Sequence, residues 1–174
     1  LSGEGWKFDP NTNTLTLNGF VSDVEDKASF MKYDSELKIY YYAFIHVENS
    51  MNLNIKLEGK ESTIGDPYIS GHAAEEIYGT DAYNTFYGIY NPKGNVTITG
   101  SARLNVYTNL RGISASRLTI DGCTSTIMMG AYTNCINVQR LIVKGGTKIN
   151  ATCGYGGGLM YNTPIHASKS IDIY

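Results

Sequence analysis

One short phrase recurs along the chain and limits what it can fold into: apolar, polar, apolar, polar, glycine. It reads Leu15-Thr16-Leu17-Asn18-Gly19, Ile55-Lys56-Leu57-Glu58-Gly59 and Val96-Thr97-Ile98-Thr99-Gly100. It continues as Leu118-Thr119-Ile120-Asp121-Gly122 and Leu141-Ile142-Val143-Lys144-Gly145, and Ile171-Asp172-Ile173-Tyr174 is a partial last copy. Gly100, Gly122 and Gly145 lie 22 and 23 residues apart, and Gly59 and Gly100 are separated by 41, which suits two units or one unit with an insertion. Periods of this size belong to repeat architectures, whose units cannot bury an apolar face alone and must stack.

Each phrase has companions. Ile45, Ile89, Ile113, Ile136 and Ile165 stand a few residues before it, with Gly88 and Gly112 directly ahead of two of them. After it the alternation resumes in Leu104 and Val106, Ile127 and Met129, Ile149 and Ala151. Period 2 specifies strand, so a unit holds three short strands separated by Gly, Asn and Ser. Units stacked at the strand spacing of roughly 4.8 Å would pair like with like into parallel sheets. The predicted inward columns are Leu15, Ile55, Val96, Leu118, Leu141 and Ile171, and beside them Leu17, Leu57, Ile98, Ile120, Val143 and Ile173. Outward positions carry Thr, Lys, Asp, Asn and Glu, with Ile142 the misfit.

The expected fold is therefore all-β, a right-handed parallel β-helix of five to six coils in one domain spanning 1–174. Residues 1–22 form an N-terminal cap and the first strand phrase, and 66–86 an insertion. Trp6 and Phe8 are placed to cover the open end, which a stack must cap. Leu37 to Tyr42 is expected to add a strand, His72 to Tyr78 a short helix, and Gly154 to Asn162 a glycine-rich loop. A leucine-rich repeat would need leucine at Lys93, Ala115 and Val138, and asparagine at Cys123. A β-sandwich with accidental regularity is the other rival.

The segment Gly5-Trp6-Lys7-Phe8-Asp9, followed by Thr14-Leu15-Thr16-Leu17-Asn18-Gly19, resembles the start of a group of bacterial cell-surface domains. These are of Firmicutes type and are often labelled carbohydrate-binding or β-helix domains. Their "G-I … L-T-I-x-G" coils are matched by Gly88-Ile89 … Val96 to Gly100 and by Gly112-Ile113 … Leu118 to Gly122. The resemblance spans most of the chain except 23–43 and 66–86. It implies a β-helix displayed outside the cell; its motifs form the fold and carry no activity with them.

Composition narrows the partners. The chain has 174 residues, 17% of them charged, and a formal net charge of -2 with no basic stripe, which argues against nucleic acid and anionic membrane surfaces. No apolar run approaches the roughly 18–20 residues of a membrane span, so no membrane insertion is expected. The sequence starts at Leu1 without a charged-then-apolar leader, as a mature or trimmed fragment would. Its abundant Tyr, Asn, Thr and Gly suit an extracellular or cell wall-associated β protein. Cys123, Cys135 and Cys153 are odd in number and lack zinc spacing, so they read as small buried residues, with one disulfide the alternative.

Chemistry is sparse. A glycoside hydrolase needs two carboxylates about 5–9.5 Å apart, and a lyase needs clustered Asp beside an Arg or Lys. Asp121 falls one coil from Lys144 in an outward column, which reads as a surface ion pair. His46 and His166 share one slot with Tyr90, Ser114 and Asn137, which is repeat equivalence and not a ligand pair. His72, with Asp66, Glu75, Glu76 and Asp81, is acidic enough for Ca²⁺ but lacks EF-hand spacing, and no cofactor or metal is expected. Tyrosines are the better lead. Tyr68, Tyr78, Tyr83, Tyr87 and Tyr90 crowd in and after the long insertion, with Tyr155 and Tyr161 in the second loop. Sugar C–H faces stack on such rings, although the same rings could simply pack the insertion onto the stack. The expected function is a non-catalytic recognition or adhesion module for a polysaccharide or cell-surface glycan. A polysaccharide-degrading enzyme and a structural spacer are the alternatives.

Overall fold

The computed structural model describes residues 1–22, 31–34, 39–65, 85–108, 111–123, 127–131, 134–153 and 164–174. Among them the chain is all-β and no helix is long and apolar enough to cross a membrane. Its strands are β1 (Ser2–Gly3), β2 (Trp6–Asp9), β3 (Thr14–Leu17), β4 (Met31–Asp34), β5 (Ile39–His46), β6 (Leu53–Leu57) and β7 (Ser62–Gly65). Then follow β8 (Thr85–Gly100), β9 (Leu104–Tyr107), β10 (Arg111–Asp121), β11 (Ile127–Ala131), β12 (Asn134–Lys144), β13 (Ile149–Cys153) and β14 (Ile165–Ile173).

Two sheets hold these strands, and pairing within them is mostly parallel. The larger runs β3-β6-β8-β10-β12-β14, with β2 and β1 added antiparallel beyond β3; β5 also pairs with β8 and carries β4 antiparallel on its other side. The smaller is β7-β9-β11-β13. From β6 onward the chain visits the two sheets alternately and advances one strand at each visit. Like residues therefore stack: Ile45, Ile89, Ile113, Ile136 and Ile165 are successive partners, as are Val106, Met129 and Ala151.

The inward columns differ from expectation at one end. Leu53, not Ile55, pairs with Val96; Ile55 pairs with Ile98 and Leu57 with Gly100, while Leu15 and Leu17 stand beside Ile55 and Leu57. The first two phrases are thus offset by two residues from the later three. A shift of two keeps every side chain on its face, so the alternation fixed what is inside but not which neighbour it meets. The files Leu53-Val96-Leu118-Leu141 and Ile55-Ile98-Ile120-Val143 are buried, and they end at Ile171 and Ile173, which are exposed.

The phrase glycines end the strands. Gly19, Gly59, Gly100, Gly122 and Gly145 all have positive φ, a region other residues enter at a cost. At Gly100 a Cβ would also stand 2.1 Å from the Leu57 carbonyl oxygen.

Other expectations resolve piecemeal. Of the strand foreseen in 37–42, residues 39–42 lie in β5 and 37–38 lie outside the described residues; β4 beside it was not foreseen. Thr85 and Phe86, assigned to the insertion, belong to β8 and pair with Tyr41 and Tyr42. The rest of the insertion, its short helix and the loop at 154–162 lie outside the described residues.

Candidate functional site

The N-terminal end of the stack holds a cleft of about 750 Å³. β3 extends the file of Ile55, but the file of Ile45 has no described member beyond Ile45, and the cleft opens there. Leu17 and Leu53 are buried at its base, with Ile45, Val47 and Phe44 beside them; Trp6, Phe8, Leu15 and Phe20 complete the apolar lining. All of the latter except the two buried leucines are half-buried and packed against the core. Trp6 and Phe8 therefore both pack against the core and line this cleft.

The polar groups at the cleft are Asn13, Ser22, His46, Glu48 and Asn52, and Met51 is 45% exposed there. His46 Nδ1 lies 4.0 Å from Glu48 Oε1, a charge pair only when the imidazole is protonated, and the His46 ring stacks on Tyr90 with centroids 5.9 Å apart.

Backbone strain gathers at this cleft. Among the described residues, the non-glycines with positive φ are Asn13, Asn49 and Ser50. Asn13 lines the cleft, and the other two are the centre of a turn closed by Met51 N–H donating to Glu48 O at 3.3 Å. Such conformations cost about 1–3 kcal/mol each and persist where the surroundings hold them. Here side-chain amides do so. Asn91 Nδ2 donates to Met51 O at 2.8 Å, Asn52 Oδ1 accepts from Asn95 N–H at 3.1 Å, and Asn54 Nδ2 donates to Thr12 O at 3.1 Å. The result is an apolar basin with amide, imidazole and carboxylate groups at its mouth, of a volume that takes a small ligand.

Of the sequence-predicted tyrosines, Tyr68, Tyr78 and Tyr83 lie outside the described residues, as do Tyr155, Tyr161 and the His72 acidic group. Tyr87 and Tyr90 are 2% and 7% exposed and form a small cluster with Ala43. Their ring centroids are 4.4 Å apart, and the Arg111 guanidinium stands 6.0 Å from the Tyr87 ring centre. The cause is local. A Cβ on Gly88 would meet Val106 at 2.5 Å, so Gly88 faces the interior beside buried Ile89, and the flanking tyrosines both turn outward and meet. As placed, these two rings offer no open plane to a ligand.

The remaining candidates fall where the repeat put them. His46, Tyr90, Ser114, Asn137 and His166 form one file. Lys144 Nζ pairs with Asp121 Oδ2 at 2.8 Å on the surface. Cys123 and Cys135 are buried thiols, donating to Ile98 O at 3.7 Å and Thr152 O at 3.3 Å; burial pushes the Cys123 thiol up to about 11, with the Asp121 charge adding to it. Among the described residues no group of three or more His, Cys, Asp or Glu could hold a metal.

The cleft itself was not foreseen. Its lining comes from positions 1 to 53, where the phrase holding Leu15 and Leu17 and the marker Ile45 are spaced irregularly, and a local signal for its turn was Asn49-Ser50, a pair suited to a tight turn. No family model, no curated protein and no solved structure matches the chain.

Proposed function

We propose that the chain is a non-catalytic recognition and adhesion module, extracellular or attached to the cell wall, which takes a polysaccharide or cell-surface glycan in the N-terminal cleft. The scaffold is a right-handed parallel β-helix of five to six coils. Two features support that scaffold: the alternate passage of the chain between two parallel sheets, and the strong right-handed bias of crossovers between parallel strands. The surface-domain resemblance agrees with both.

The cleft carries the functional reading. A pyranose has C–H faces that pack on aromatic and aliphatic side chains and a rim of hydroxyls that needs hydrogen-bond partners. Trp6 and Phe8 supply the first kind of surface; Asn52, Asn13 and Glu48 supply the second. The reading moves the proposed contact from the tyrosines to the cleft lined by Trp6, Phe8 and the residues around His46. A glycan-array screen of the 174-residue chain, repeated with Asn52→Ala and Glu48→Ala, tests it. Binding that falls at least severalfold in both exposed-rim variants supports the reading; no bound glycan, or unchanged binding in both variants, rejects it.

A further inference from the structure

The repeat places two of the three cysteines in files that meet. Tyr87 pairs with Arg111 and Arg111 with Asn134, while Ile89 pairs with Ile113 and Ile113 with Ile136. Gly88, Gly112 and Cys135 therefore stand in one file across β8, β10 and β12. Cys153, the last residue of β13, pairs with Ala131. Gly130, which pairs with Thr152, also pairs with Tyr107, so Thr108, Ala131 and Cys153 fall in a second file.

The coil of β8 and β9 shows how closely these files approach. A Cβ on Gly88 would stand 3.5 Å from Thr108 Cγ2 and 2.5 Å from Val106 Cγ1. Stacked coils repeat one environment at each turn, so in the coil of β12 and β13 the same approach falls between positions 135 and 153. In a disulfide a Cβ lies roughly 3 Å from the partner's sulfur, close to the Gly88–Thr108 separation. Ala151, which has no γ carbon, takes the place of Val106 there, so position 135 has room for the side chain that position 88 lacks. Cys135 is a fully buried thiol in the structure. Its Sγ donates at 3.3 Å to Thr152 O, in the peptide group that joins Thr152 to Cys153.

We propose that Cys135 and Cys153 form a disulfide that ties the larger sheet to the smaller one within a single coil. The oxidant is a small-molecule disulfide, as oxidising compartments supply. One cysteine thiolate attacks it and releases a small thiol; the second thiolate attacks the mixed disulfide and releases the other. Two electrons pass to the oxidant, and the two cysteine protons end on the two small thiols. Because Cys135 is buried in the folded chain, the exchange belongs to folding. Cys123 stays single, just beyond the other end of β10, where its thiol donates to Ile98 O. That accounts for the odd count, and the link stands independently of the glycan reading.

Refolding the 174-residue chain from denaturant with reduced and oxidised glutathione tests the proposal, followed by alkylation in denaturant and peptide mass spectrometry. One link joining Cys135 to Cys153 is expected, with Cys123 alkylated. The linked chain should unfold several degrees above the reduced chain. Cys123→Ser keeps the link and that redox-dependent shift, and Cys153→Ser abolishes both. Three alkylated cysteines per chain, glutathione adducts without a link, or a link that includes Cys123 overturns the proposal. So does a Cys153→Ser variant whose unfolding temperature still depends on redox conditions.

Discussion

The side chain of Asn91, buried at the corner of β8, donates from Nδ2 to the main-chain carbonyl of Met51 at 2.8 Å and so fastens the turn at the cleft to the next strand of the sheet. The same Nδ2 also reaches Asn95 O at 3.2 Å. Replacing Asn91 with Ala removes both bonds from a buried position and should cost about 1–3 kcal/mol. Denaturant unfolding measures that loss. Because the turn holds Asn49 and Ser50 at positive φ, the variant should also bind a glycan ligand more weakly than the rim groups alone would suggest.

The stacked files predict a steep contrast between the middle and the end of the sheet. Ile120 is fully buried between Ile98 and Val143, while Ile173 is 76% exposed in the same file. Ile120→Ala should cost about 2–5 kcal/mol, and Ile173→Ala about 0.5 kcal/mol or less. Thermal unfolding of the two variants side by side checks the difference.

Two phrase glycines separate backbone strain from crowding. Gly122 has φ 65° with nothing within 4 Å of a Cβ, so Gly122→Ala pays only the left-handed conformation, about 1–2 kcal/mol. Gly100 has φ 105° and a Cβ would collide with the Leu57 carbonyl, so Gly100→Ala must also move β6. It should be clearly the more damaging of the pair by denaturant unfolding.

Much of this was legible in the sequence. Period-2 alternation placed Ile98, Ile120 and Val143 inside, and the marker isoleucines predicted their own ladder, because parallel stacking repeats one environment at every turn. Register at the first two phrases was not legible. Leu53 and Ile55 both suit the position beside Val96, and the choice depends on the turn at 47–52. Nor was the cleft, which forms where the repeat is spaced irregularly. Tyr87 and Tyr90 attracted attention by composition, but the inward turn of both Gly88 and Ile89 sent the rings against each other, which alternation alone does not reveal.

Cys123 ties stability to pH. Burial and the Asp121 charge raise its thiol from 9.0 to about 11, so the folded chain favours the neutral form. The stabilising contribution is complete below pH 9, where the unfolded thiol is still protonated, and disappears as pH climbs to about 11. Cys123→Ala should lose less stability than the parent over that interval in denaturant titrations. Alkylation of Cys123 at pH 8 should be slow in the folded chain and fast in denaturant, read by mass spectrometry of the labelled peptide.

Trp6 is the sole tryptophan and lines the cleft, so its emission reports on the proposed ligand site without a label. Titrating a glycan recovered from the array should shift and saturate that emission with the same affinity that binding itself shows, and Asn52→Ala should move both curves to higher concentration together. A glycan that binds while Trp6 emission stays constant would place recognition elsewhere and contradict the account.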